Sequence, residues 1–286
     1  MENKNRRPSP KRDSAPKQPE SKGKRPHTPR RRAIVTGGSS GIGFSLAQQL
    51  AARGFCVVLV GRSEARLKQA AEAIHCRGGA AEIFVCDLSK EEACRRLYEA
   101  YRSRSVSVLI NAAGFGVYGE FDATALAEEG QMLLVNCHAV HVLMKLFLGD
   151  MKRQGRGWIL NVASSAGLAP GGPYMAAYYA TKAYVVSLTC GVAEELRAAH
   201  SPVYAGVLCP GPVDTPFFER AGIRAAVKGA DPQAVAKAAL KGMRRRQTRI
   251  VPGVGNRLVC LAAKLLPAGM ILAGNRRIQA KKRKTE

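Results

Sequence analysis

Eight residues, Thr36-Gly37-Gly38-Ser39-Ser40-Gly41-Ile42-Gly43, lie between a short apolar segment and a stretch with helical spacing. That order constrains the fold more than any other feature of the chain. Glycines let backbone amides approach an anionic group, and a helix start adds free N–H groups and the positive end of its dipole. A simple tight turn would also use these residues, but strand, glycine turn and helix in succession open a dinucleotide-binding βαβ unit.

The pattern continues along the chain. Short β-rich apolar runs occur at 33–35, 55–60, 82–85, 106–110, 158–162, 203–208 and 249–251. Between them, stretches of helical length and spacing cover 41–53, 63–76, 89–104, about 127–152, 174–199 and 231–246. Nearly all-apolar strands joined by helices form a parallel sheet covered on both faces. The expected fold is therefore α/β: a doubly wound Rossmann fold with a seven-stranded parallel sheet flanked by helices. The interval 212–229 is the one long irregular connection in the body, and such connections are often active-site lids.

Composition decides where this body begins and ends. The formal charge of +24 would suggest a nucleic-acid binder if it were spread evenly, but residues 1–32 carry 12 Lys/Arg against 3 acids and 241–286 carry 13 against 1. The intervening body has 20 against 17, so the charge bears on partners or location rather than on chemistry. Residues 1–32 hold six of the fifteen prolines and no periodic apolar residues, which predicts a disordered basic tail. Neither CxxC pairs nor repeated spacings occur among the eight cysteines, which read as reduced and buried, and residues 1–32 contain no apolar signal segment. Those features predict a cytosolic protein.

Cofactor choice is readable at the second strand. Enzymes that use NAD place an acid there, about 20 residues past the glycine turn; this chain has Val60-Gly61-Arg62-Ser63. A guanidinium in place of a carboxylate favours NADP(H), because it can grip a 2′-phosphate with paired hydrogen bonds. The competing reading makes Arg62 a solvated residue at a helix start. Asp87, after the third strand, either meets the adenine or caps the next helix through Asp-Leu-Ser.

Tyr178-Tyr179-Ala180-Thr181-Lys182 falls in a helical stretch, which puts Tyr178 and Lys182 one turn apart on one face. Moving a tyrosine from its usual pKa of about 10 towards neutrality takes ~4 kcal/mol of preferential phenolate stabilisation, which a nearby ammonium helps to supply. Ser164, fourteen residues upstream at the end of the fifth strand, can hydrogen-bond a substrate oxygen where open α/β sheets bind ligands. Ser165 and Tyr179 are the adjacent alternatives. His138 and His141 stand three apart on a helix but lack a third ligand at matching spacing, so no metal site is expected.

Taken together, these segments resemble the short-chain dehydrogenase/reductase family over nearly all of residues 33–251. Thr36 to Gly43 matches its TGxxxGIG, Asn111-Ala112-Ala113-Gly114 its NNAG with Ala112 replacing the second Asn, Tyr178 to Lys182 its YxxxK, and Pro210-Gly211-Pro212-Val213-Asp214-Thr215 its PGxxxT. The resemblance implies that Tyr178 is the proton donor, that Lys182 binds the nicotinamide ribose and lowers the tyrosine pKa, and that Ser164 orients the carbonyl. It also implies that Asn136 holds a water in a proton relay and that Thr215 fixes the carboxamide. Cofactor contacts are expected from Gly37, Ser39, Ser40, Gly41, Ile42, Gly43, Arg62, Asp87, Asn111, Ala112, Gly114, Pro210, Gly211, Val213 and Thr215. Family members usually form dimers or tetramers built on long helices, so a homodimer or homotetramer is expected. The string from Asn111 to Phe121 and the C-terminal extension are similar to the bacterial DltE-like group.

Residues 252–286 form the last unit, an apolar stretch with Pro267 and Gly269 followed by Arg276-Arg277 and Lys281-Lys282-Arg283-Lys284. It is too short and interrupted for a secure membrane span. Two readings stand: contact with the interface of an anionic membrane at the inner face, or packing on the body as a pocket wall or subunit contact. Aromatic residues are not interleaved with the charge, so nucleic acid is not an expected partner. The sequence predicts an NADP(H)-dependent reduction of a ketone, with an apolar substrate such as a 3-oxoacyl thioester or a ketosteroid. The alternative is a catalytically silent NADP-binding sensor or scaffold that acts through its basic ends.

Overall fold

A computed structural model describes residues 31–223 and 228–280. The proline-rich segment 1–30, four residues of the 212–229 connection and the basic run 281–286 lie outside the described residues, and with them most of the expected N-terminal tail.

Seven strands, β1 (Arg32–Thr36), β2 (Cys56–Gly61), β3 (Ala80–Val85), β4 (Val106–Asn111), β5 (Trp158–Val162), β6 (Tyr204–Leu208) and β7 (Arg249–Ile250), form one parallel sheet in the order β3-β2-β1-β4-β5-β6-β7. The expected Rossmann architecture is what the chain adopts. Alternate residues of a strand point to opposite faces, and here both faces are apolar. From β1, Ala33 and Val35 enter one core with Leu46 and Leu50 of α1 (Gly41–Ala51), Leu67 and Ile74 of α2 (Glu64–His75). Ile34 enters the other, with Leu97 of α3 (Glu91–Tyr101).

After β4 come α4 (Leu126–Leu133), a π turn (Leu134–His138) and α5 (Ala139–Arg153), where the sequence predicts one uniform helix. The long α6 (Ala176–Ala198) crosses the sheet beside α5 and carries Tyr178 and Lys182. Short α7 (Phe217–Arg220) sits in the irregular connection, and α8 (Pro232–Arg244) follows it. Asp231 caps α8 by accepting from the Gln233 and Ala234 amides, with Pro232 opening the helix; each element of that start is locally encoded.

The apolar C-terminal stretch is two helices, α9 (Val254–Leu265) and α10 (Ala268–Ala280). Leu266 between them is extended, at ψ 150, as the residue before Pro267 is biased to be. The cysteine expectation needs correction. No disulfide links the eight, but Cys76 is exposed and Cys56, Cys137 and Cys190 are only half-buried: Cys56 opens β2, Cys76 follows the end of α2, Cys137 lies in the π turn, and Cys190 lies on a partly exposed side of α6.

Candidate active site

The sheet order turns back between β1 and β4, which opens a crevice at the carboxyl ends of these strands. A cleft of about 740 Å³ occupies it. At one end, the loop after β1 is pinned by Gly37 and Gly38 amides donating to the Val60 carbonyl, at 2.9 and 3.4 Å. Gly37 takes φ +65 and Gly41 φ +55, and a Cβ on Gly43 would stand 2.4 Å from the Gly37 carbonyl oxygen. Only glycine gives this loop its course. Ser40 precedes α1 without capping it through its side chain, so first-turn amides stay open to a ligand. Thr36 accepts from the Ala112 and Ala113 amides at 3.0 and 3.1 Å and holds the β4 loop against this cradle.

Gly37, Ser39, Ser40, Gly41, Ile42, Gly43, Arg62 and Asp87 all line the cleft, as do Ala112, Gly114, Pro210, Gly211, Val213 and Thr215. Asp87 borders the cleft, and one of its carboxylate oxygens accepts from the Ser89 amide at 3.1 Å; it does not cap the next helix, which starts at Glu91 after Lys90. Sequence reasoning missed two cations. Arg66, one turn into α2, and Arg220 at the end of α7 line the cleft with Arg62. Burial and then the Arg66 and Arg62 charges push Arg220 below the usual arginine value, and its guanidinium donates to the Ser40 hydroxyl at 3.4 Å. Three guanidiniums held together at the cost of mutual repulsion are suited to a polyanion. Arg66 reads in sequence as an ordinary solvated helix residue, and nothing in the sequence links Arg220 to it.

Asn111 does not belong to the cleft. Its side chain leaves the end of β4 inside the sheet layer, is 2% exposed, and donates to Asn161 at 2.9 Å. Asn136 also sits one layer behind. Its amide donates to the Phe115 carbonyl (2.9 Å) and to Thr181 (3.1 Å), and its carbonyl accepts from the Phe115 amide (3.1 Å). The π turn aims it there, as π turns inside helices often do at functional sites. Asn136 therefore braces the loop that carries Gly114, where a Cβ would stand 2.9 Å from the Asn136 oxygen.

At the centre, Ser164, Tyr178 and Lys182 line the cleft together. Ser164, rather than Ser165, is the serine that acts on the Tyr178 hydroxyl, and its own hydroxyl accepts from the Ala166 amide at 3.2 Å. The neighbour Tyr179 is turned to Gln279, which donates to its hydroxyl at 2.9 Å. Burial pushes the Tyr178 phenol above its ordinary value, Ser164 opposes the shift, and Tyr179 adds to it. The Lys182 ammonium donates to the Val162 carbonyl at 3.1 Å and lies 5.8 Å from the Tyr178 ring centre. Burial brings it down to about 8. Lys182 is not among the groups that shift Tyr178 in this arrangement; burial dominates, and the phenol holds its proton at neutral pH.

The far end is apolar, with Phe115, Val117, Met175, Phe217 and Phe218 around it. The Phe217 ring centre lies 5.3 Å from that of Tyr178. Polar side chains also line the cleft, among them Glu128, Gln131 and Gln279. Gln279, on α10, is 3% exposed; its backbone carbonyl accepts from Tyr118 at 2.9 Å, while its side-chain oxygen is buried without a partner among the described residues. Sequence reasoning missed it, since a single glutamine beside a basic run carries no signal.

A family model described as short chain dehydrogenase matches residues 31–224. The chain is 35% identical over 207 residues to a 7beta-hydroxysteroid dehydrogenase of Clostridium sardiniense, covering 72% of this chain and 76% of that protein. It is 30% identical to the ketoacyl reductase HetN of a Nostoc species, over 83% of this chain and 84% of the relative. Among solved structures, a short-chain dehydrogenase from Sphingobium yanoikuyae in complex with NADPH superposes with a TM-score of 0.74 at 29% identity, over 82% of this chain and 93% of that one. The cradle that glycine alone can form, with cations at one end and Ser164, Tyr178 and Lys182 in the middle, fits a nicotinamide dinucleotide. The chain belongs to the short-chain dehydrogenase/reductase family of oxidoreductases.

Proposed function

We propose that this oxidoreductase reduces apolar ketones to secondary alcohols and takes NADPH in preference to NADH. The observation that carries the cofactor choice is the convergence of Arg62, Arg66 and Arg220 at the end of β2. A hydrogen bond to a charged group contributes about 1.5–3 kcal/mol, so even one such contact to a 2′-phosphate supports a preference of tenfold or more. NADPH held in the cradle would supply a hydride to the carbonyl carbon. Ser164 and Tyr178 then converge on the carbonyl oxygen, and Tyr178, kept protonated by its burial, gives its proton to the developing alkoxide. Lys182 in its charged form stabilises the phenolate that results.

The apolar far end favours a fused-ring or acyl ketone over a small polar one. Gln279 adds a requirement: its unpartnered oxygen would accept from a hydroxyl or amide N–H remote from the reacting carbonyl, since a buried acceptor left unsatisfied costs about 1–3 kcal/mol. Hydroxylated ketosteroids and 3-oxoacyl thioesters both carry such donors. A silent NADP-binding module has no need of the Ser164–Tyr178 pair. The family's habit of assembly points to a homodimer or homotetramer. The test is oxidation of NADPH, with NADH in parallel, against ketosteroids, 3-oxoacyl thioesters and simple ketones. Turnover confined to small polar ketones, or faster with NADH, would overturn the proposal.

A further inference from the structure

The helix pair α9–α10 has an inner face that the body explains and an outer face that it does not. Inward, the Asn256 amide donates to the Cys209 carbonyl at 3.1 Å, Cys260 is buried, and Asn275 donates to the Gly171 carbonyl at 2.7 Å. Outward, Val254, Leu258, Leu261 and Leu265 are 73, 62, 54 and 76% exposed. Spacings of four, three and four put these four side chains in one stripe along α9, opposite Asn256 and Cys260. A helix docked through its less apolar side, with leucines towards solvent, is inverted relative to the usual surface helix. Met270 of α10, 62% exposed, extends the apolar surface past Pro267.

Charge selects the occupant. Arg257 and Lys264, both exposed, flank the α9 stripe on one side, and Arg277 shares the outer side of α10 with Met270. From 252 onwards the chain has eight Lys/Arg and a single acid, Glu286. A second copy meeting this surface across a twofold axis would set these cations against themselves, since such interfaces place the same patch on both sides. An anionic lipid surface instead accepts both features: apolar side chains enter the acyl boundary while flanking Lys and Arg meet headgroups.

We propose that α9 and α10 dock this protein on an anionic bilayer, with the Val254–Leu265 stripe in the acyl boundary and the flanking Arg257, Lys264 and Arg277 among the headgroups. Because Gln279 of α10 also lines the substrate cleft, docking places the cleft's own wall against the membrane.

The test is co-sedimentation of the full chain with phosphatidylcholine vesicles, with and without about 30% phosphatidylserine. Three proteins are compared: the natural chain, L258D/L261D/L265D, and K281Q/K282Q/R283Q/K284Q. Thermal melting and size-exclusion chromatography check fold and oligomeric state; Leu258, Leu261 and Leu265 do not line the cleft. Binding to the anionic vesicles is expected, at least tenfold weaker on neutral ones, at least tenfold weaker for the triple variant, and several-fold weaker for the quadruple one. Failure to bind anionic vesicles, equal binding to neutral ones, or full binding by a folded triple variant overturns the proposal. So does a triple variant whose change is loss of a dimer rather than loss of vesicles, which would make the face a contact between copies.

Discussion

The two ends of the cleft are built from different materials. The dinucleotide end is mostly backbone: Gly37, Gly41 and Gly43 shape a loop between β1 and α1, and its amides form the site. The substrate end is side chains brought from far apart, Phe115 after β4, Met175 before α6, Phe217 on α7 and Gln279 on α10. A backbone-built site can be spoiled by one added carbon, whereas a site of side chains can be retuned one residue at a time. The proposed catalytic group between them belongs to neither: Tyr178 and Lys182 share one helix, and Ser164 reaches them from the end of β5.

Perturbing each part separates these contributions. The largest effect is expected from Tyr178→Phe, which removes the proposed proton donor and should lower kcat/KM by about 10³ while NADPH affinity, read by fluorescence titration, changes less than about threefold. Gly43→Val comes next. Its Cβ would stand 2.4 Å from the Gly37 carbonyl oxygen, and NADPH affinity should drop by about 100-fold in a protein that still melts cooperatively. Unchanged affinity would show that the cradle is not backbone-limited.

A third change addresses charge. Arg62→Ser should reduce the NADPH/NADH ratio of kcat/KM by about 30-fold, nearly all of it through NADPH. The effect of pH follows from Lys182. Below its value of about 8 the ammonium is charged and can stabilise the Tyr178 phenolate, so kcat/KM should fall as pH rises through that point, towards tenfold per unit; a flat profile to pH 10 would remove Lys182 from that role. The smallest expected effect is that of Gln279→Leu, about fivefold in kcat/KM for a ketone with a remote hydroxyl and less than twofold for its deoxy analogue. Equal losses on the two substrates would make Gln279 a structural residue of α10.

The same contrast decides what could be read without coordinates. Strand edges and the glycine cradle are local: Thr36 to Gly43 has to be glycine-rich because φ is positive at Gly37 and Gly41, and that requirement is written in consecutive residues. Tyr178 and Lys182 are equally local, one helical turn apart. Asn136 was legible only through resemblance, and its bracing of Phe115 was not, because the π turn at Leu134–His138 looks like any apolar helix in sequence. Asn111 shows the reverse case. A motif residue expected at the cofactor instead pairs with Asn161 inside the sheet, since its side-chain direction depends on the register of β4 against β5. Arg66, Arg220 and Gln279 escaped altogether, because what joins them is the closure of the fold around one crevice.

Transfer of label tests the central claim most directly. The protein would be supplied with NADPH deuterated at the transferable C4 position and a hydroxylated ketosteroid, and the product alcohol examined by mass spectrometry and NMR. The account predicts one deuterium on the new carbinol carbon, with a single stereochemistry, and no such product from a Tyr178→Phe protein that still binds the cofactor. Binding of NADPH with no deuterium delivered to a ketosteroid or to a 3-oxoacyl thioester would contradict it, as would equal delivery by the variant.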